Sequence, residues 1–119
     1  MPNTIFVFGS NLAGIHGAGA ALVARKLFSA AMGTSTGRNG RAYAIPTKDE
    51  NMYPLPLDTV GLHVRRFIDY TAAHPDLQFF VTRVGCGLAG GKDSDIAPLF
   101  ADALNCSFPL PWKTYLGNK

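Results

Sequence analysis

The 119 residues predict a three-layer α/β domain with a largely parallel central sheet. Three observations carry this. Strand-like and helix-like segments alternate along the chain. The first strand candidate, Thr4 to Phe8, is apolar without alternation, the pattern of a strand buried on both faces. Two glycine-rich segments, beginning at Gly9 and Gly85, each follow a strand candidate and lead into a helix candidate. In open parallel sheets, ligands sit beyond the carboxyl ends of the strands, where both segments fall.

In order, the first strand gives way at Gly9 to Ser10 and Asn11, and then to Gly14, Gly17 and Gly19. A helix is predicted from about Gly17 to Met32, with Gly33 as its C-cap. Residues 33–41, GTSTGRNGR, read as a surface loop. A second strand is expected over Ala42 to Pro46, the proline stopping it or marking an edge, with Thr47, Lys48 and Asp49 at its end. After the proline-broken ENMYPLPL, Asp58 is the candidate N-cap of a helix over roughly Thr59 to His74. Its inward positions are Val60, Val64, Phe67, Ile68 and Thr71. A third strand is expected from Gln78 to Val84, followed by the loop Gly85 to Gly91. Asp93, Ser94 or Asp95 would cap a third helix, with Pro98 tolerated in its first turn and Ile96, Leu99, Phe100, Ala103 and Leu104 facing inward. The tail, FPLPWKTYLGNK, is a weak candidate for a last strand.

The length fits one domain, residues 1–119, with a single core. A 47% apolar and 16% charged composition is that of a globular chain. The net charge of +3 fits an anionic ligand, but no Lys/Arg stripe indicates direct nucleic-acid binding. Cys86 and Cys106 stand in unrelated contexts, so neither a disulfide scaffold nor a metal pattern is expected. No leader-like or membrane-spanning segment is read in the sequence, and the expectation is a cytoplasmic protein without membrane contact.

Strand, glycine loop and helix form a local anion-binding pattern, because glycines let backbone N–H groups approach a phosphate and the helix adds the positive end of its dipole. Close strand–helix packing is the alternative use of the same glycines. Asn11 suits a turn. His16, inside the first loop, is a candidate general acid or base, or a phosphate ligand. His63 and His74 read as helix-surface residues, and Cys86 as a small packing residue.

Three blocks carry a family resemblance. GSNLAGIHGAGAALVARKLF resembles the first ligand loop and helix of macro domains, which bind ADP-ribose. AYAIPTKD and VTRVGCGLAGGKD resemble the lysine-bearing strand end and the second loop of the branch containing the terminal ADP-ribose glycohydrolase and the ADP-ribose-1''-phosphatases. Together they cover about a third of the chain, in matching order. The resemblance implies a shortened macro-domain-like fold whose ligand is ADP-ribose or an ADP-ribosylated macromolecule, with no cofactor. It puts Gly17, Ala18, Gly19 and Ala20 along the diphosphate or distal ribose, beside Gly9, Ser10, Asn11 and Thr47. Gly85, Cys86, Gly87 and Leu88 form the second phosphate-facing loop.

The resemblance also makes Lys48 the amine that attacks the anomeric carbon; a neutral amine can open a ribosyl bond through a Schiff-base adduct. The pattern departs from the family where an aspartate should follow Leu88, because the residue there is Ala89. Asp93 and Asp49 are the substitutes at hand. An ADP-ribosyl hydrolase using Lys48 with His16 or Asp93 is therefore one expectation, and a non-catalytic ADP-ribose or signalling-nucleotide binder the alternative. A nicotinamide-dependent oxidoreductase ranks last, because Gly14-x-x-Gly17-x-Gly19 is not the dinucleotide fingerprint. Phe80, Tyr43 and Trp112 are the candidates for stacking on a base.

Overall fold

A computed structural model describes residues 3–14, 19–28, 35–86 and 91–117. It is an α/β structure built on a mixed five-stranded sheet of order β2-β3-β1-β4-β5, where β1 is Thr4–Asn11, β2 Gly37–Asn39, β3 Ala42–Lys48, β4 Gln78–Val81 and β5 Cys106–Ser107. β3, β1, β4 and β5 run parallel, and β2 is antiparallel to β3. Helices α1 (Gly19–Leu27) and α2 (Leu57–Ala73) follow β1 and β3, and short helices α3 (Asp93–Ile96) and α4 (Lys113–Leu116) follow β4 and β5.

β1 is central because it is apolar on both faces. Ile5 and Val7 pack into one core with Tyr43, Ile45, Val64, Phe67 and Phe79, under α2 and the C-terminal segments. Phe6 and Phe8 point the other way, into a smaller core with Ala21 and Ala24 of α1 and with Ala42 and Ala44. Period-2 alternation within an all-apolar run thus feeds both faces at once. The inward set of α2 is Val60, Val64, Phe67, Ile68 and Thr71, as its spacing predicts. Thr71 is tolerated there because its hydroxyl donates to Ile68 O at 2.7 Å and accepts from Leu104 N at 3.1 Å.

Several boundaries differ from the sequence expectation. Ser10 and Asn11 extend β1 instead of beginning a loop. The glycine-rich stretch before Arg41 contains β2, whose three residues pair with Ala42–Ala44. β3 runs through Pro46 to Lys48. The bond from Phe6 N to Arg41 O sets the phase of the β1–β3 ladder, so the N–H that Pro46 lacks would point away from β1, past the last β3 residue that β2 pairs. β4 ends at Val81, three residues early.

Helix ends shift as well. Pro56 occupies the N-cap position of α2, and the Asp58 carboxylate accepts from Thr59 N at 2.9 Å. Lys92, not a carboxylate, is the N-cap of α3. The expected third helix breaks at Ala97 into a 3-10 turn, Ala97–Phe100, that starts with Pro98 in its first turn, and Leu104 is exposed. His74 stacks on Tyr70 at the end of α2, and His63 is half-buried, with a buried Nδ1 that has no hydrogen-bond partner among the described residues. Burial, aided by the nearby Arg66 charge, holds the His63 imidazole below its usual pKa. The predicted C-cap Gly33 lies outside the described residues. No helix among the described residues is long and apolar enough to cross a membrane.

Candidate functional site at the carboxyl edge of the sheet

The chain leaves β1 for one face of the sheet, through α1, and reaches β4 from the other face, through α2. β1 lies between β3 and β4. Consecutive crossovers therefore diverge at the carboxyl end of β1, the geometry that opens a crevice in a parallel sheet. Three segments meet there. A Cβ built on Gly9 would lie 3.3 Å from Gly85 N and 3.3 Å from Thr47 Oγ1, so a side chain here would crowd both segments where they approach. Thr47 Oγ1 donates to Ser10 O at 3.2 Å, and the Thr82 hydroxyl to Val7 O at 2.7 Å.

Ser10, Asn11 and Thr47 are polar yet only 3%, 8% and 5% exposed. Ser10 Oγ donates to Ser35 O, and the Asn11 backbone carbonyl accepts from Gly14 N at 3.0 Å. A bulge opposite Asn11 admits one extra residue, Thr47, into β3 and pairs Lys48 with Asn11. Lys48 O then accepts from Leu12 N at 3.0 Å, which fixes the lysine backbone at the edge. The Lys48 side chain is half-buried, and no carboxylate among the described residues forms an ion pair with it.

Neither substitute carboxylate stands with Lys48. Asp49 accepts backbone bonds from Asn51 N at 2.8 Å and Tyr53 N at 3.0 Å, closing its own turn. Asp93 accepts Arg83 Nε at 3.1 Å, Arg83 Nη2 at 2.9 Å and Trp112 Nε1 at 2.7 Å, with the Cys86 thiol a further donor. Reaching Lys48 would require it to abandon these donors. The Arg83 hydrogen bonds, reinforced by Trp112 and Cys86, hold the Asp93 carboxyl below the usual range. Asp93 thus ties the start of α3 to the end of β4 and to the buried Trp112.

The loop this cluster anchors is closed by Gly91 N donating to Gly85 O at 2.7 Å, and Gly85 has φ +75°. Of its expected ligand residues, Gly85 and Cys86 are described, whereas Gly87 and Leu88, with Ala89, lie outside the described residues. The same holds for His16, Gly17 and Ala18. Gly19 and Ala20 form the first turn of α1. Of the three candidate stacking rings, Trp112 and Tyr43 are buried and Phe80 is 53% exposed.

The chain matches no protein-family model, no curated protein and no solved structure. Among the described residues no cluster of His, Cys, Asp or Glu could hold a metal ion.

Beside the edge, on the α2 face, lies a cleft of about 150 Å³. Leu55, Leu57, Val60 and Ile96 give it an apolar lining, Thr47 and Gly85 form the wall shared with the strand ends, and Lys92 and Asp95 stand at its exposed rim. The sequence reading missed both this cleft and the Trp112 anchor. Trp112 carries no local signal, being 19 residues from Asp93. The Arg83–Asp93 pair was visible in principle, as opposite charges flanking a glycine loop.

Burial and the neighbouring Asp93 push the Cys86 thiol up to about 12, and burial alone does the same for Cys106. Against an ordinary value of 9.0, the thiolate fraction at pH 8 falls roughly a thousandfold. Iodoacetamide labelling of the native protein at pH 8, followed by mass spectrometry, should therefore be slower than for unfolded chain by about that factor. The sign for stability follows. Folded thiols that ionise later than unfolded ones leave stability intact below pH 9 and erode it as the pH rises towards 12.

Proposed function

We propose that the carboxyl edge of this sheet binds ADP-ribose or a related ADP-ribosyl derivative, on a shortened, three-layer, macro-domain-like fold, and that the protein hydrolyses it. The observation that carries the reading is the meeting of Gly9, Thr47 and Gly85 at the point where the crossovers diverge. It joins the three sequence blocks that resemble the family, and it leaves glycine backbone, not side chains, on two sides of the crevice. In this reading N–H groups of the two glycine loops and the first turn of α1 face the diphosphate. The distal ribose presents its anomeric carbon to the Lys48 amine, whose attack breaks the ribosyl bond and forms an adduct that water then resolves.

One observation favours the alternative, a binder without turnover. Both nearby carboxylates are engaged elsewhere, so Lys48 lacks an evident acid–base partner among the described residues. Calorimetric titration with ADP-ribose, paired with product assays on an ADP-ribosylated peptide and on ADP-ribose-1''-phosphate, separates the two. The expected result is binding together with product release that Lys48→Ala lowers by at least about a hundredfold, while ADP-ribose affinity changes less than about fivefold. Product release that survives Lys48→Ala moves the chemistry to another group. Binding without product supports the binder, and absence of binding overturns the ligand assignment.

A further inference from the structure

The cleft on the α2 face is not needed to hold a diphosphate, and its lining is wrong for one. Leu55, Leu57, Val60 and Ile96 offer no hydrogen bonds from their side chains. A sugar or phosphate placed among them would leave its oxygens unpaired, a costly arrangement. An apolar planar group suits it better. The volume of about 150 Å³ is that of cavities which take up a single benzene-sized ring. The rim adds a second requirement. Lys92 and Asp95 bring one charge of each sign to the mouth, so a neutral group with both a hydrogen-bond acceptor and a donor fits better than an ion.

Position gives the third. Thr47 and Gly85 line the cleft and also form, with Gly9, the meeting point of the strand ends. The cleft therefore lies against the strand-end edge, across a wall that the two share. Gly85 has φ +75°, and a Cβ there would stand at ordinary van der Waals distance from Thr47 Cγ2 at 3.4 Å and Ile96 Cδ1 at 3.5 Å.

We infer that this cleft is a site for a neutral six-membered aromatic ring bearing an amide-like substituent, bound in its own right beside the strand-end edge. The ring lies between Leu55, Val60 and Ile96, and the substituent meets Lys92 and Asp95. The ring subsite itself is testable alone.

Methyl NMR of the full chain, titrated in separate samples with nicotinamide and with ADP-ribose, makes the distinction. Nicotinamide should shift the methyls of Leu55, Val60 and Ile96, with a dissociation constant of about 1–10 mM for so small a ligand, and leave Ala21 and Ala24 on the opposite face unmoved. Leu57→Trp, at an exposed position on the mouth, should weaken this at least about tenfold without changing the thermal midpoint; Leu57→Ser, which removes the wall, should weaken it too. Unmoved cleft methyls, or shifts that persist in both variants, overturn the subsite. If ADP-ribose leaves the amides of Gly9 to Asn11 unmoved while nicotinamide moves the cleft methyls, the proposed function fails and the ring subsite stands.

Discussion

Trp112→Ala should destabilise the protein by about 3–5 kcal/mol, the largest effect of any single side-chain truncation considered for this chain. Trp112 is fully buried and packs its ring on Phe100 and Phe108, with centroids 5.1 and 6.2 Å away. Truncation removes most of that packing and leaves a cavity that the short helices around it can only partly close. It also removes one donor from Asp93, the carboxylate that holds the start of α3 to Arg83. Typical domains have only about 5–15 kcal/mol to lose, so the variant stands near the threshold of folding. Urea unfolding followed by far-UV circular dichroism gives the midpoint. Trp112→Phe is the control, because it keeps most of the volume and loses the indole N–H, and it should be clearly less damaging. Equal loss in both variants would mean that the hydrogen bond, not packing, dominates. A loss under about 1 kcal/mol in Trp112→Ala would contradict the burial argument.

The second large effect is expected from Gly91→Ala. A Cβ at this position would lie 2.4 Å from Gly85 O and 3.2 Å from Gly85 C, both backbone atoms that no rotamer change can move. The loop must open, and with it goes the bond from Gly91 N to Gly85 O. A cost of about 2–3 kcal/mol is reasonable for forcing a methyl into close-packed backbone. The functional consequence is more specific than the stability loss. Gly85 abuts Gly9 and Thr47, so opening this loop displaces one side of the strand-end crevice while the sheet core stays intact. Gly91→Ala should therefore weaken ADP-ribose binding, measured calorimetrically, beyond what its unfolded fraction accounts for. Gly37→Ala is the comparison, because its Cβ meets nothing within 4 Å although its φ of +84° still strains an alanine. Comparable stability loss with unchanged binding at Gly37 would assign the Gly91 effect to the site.

Much of the frame was legible in the chain because its signals are local. The unbroken apolar run of Ile5 to Phe8 has the pattern of a strand covered on both sides, and the five inward positions of α2 follow from spacing alone. The placement of the glycine segments towards strand carboxyl ends followed from their order along the chain. Other elements were illegible because their signals depend on partners. β2 hides in a glycine-rich stretch whose composition reads as loop, and it exists as a strand because β3 offers it an edge to pair with. Pro46 reads as a stop, yet it is admitted because its missing donor faces no acceptor of β1. The third helix has an inward face in sequence, but it breaks into a 3-10 turn at Ala97–Phe100, where Pro98 cannot supply an α-helical N–H.

The same division holds at the site. Residue type and order along the chain put glycines, Thr47 and Lys48 at one edge, since each lies near or beyond the carboxyl end of a strand of the same direction. Periodicity and composition suffice for that, because they act within a few residues. Which groups are committed to the frame was decided by tertiary contacts. Asp93 looks like a free carboxylate or a helix cap in sequence, and becomes the partner of Arg83, Trp112 and Cys86 only when β4, α3 and the C-terminal turn come together. The apolar cleft beside the edge likewise belongs to no segment: Leu55, Val60 and Ile96 become its lining only once α2 and α3 pack on the same face of the sheet. Local patterns are fixed by bonds between near neighbours, whereas the pairing of a charge and the shape of a cavity depend on residues brought together from distant parts of the chain.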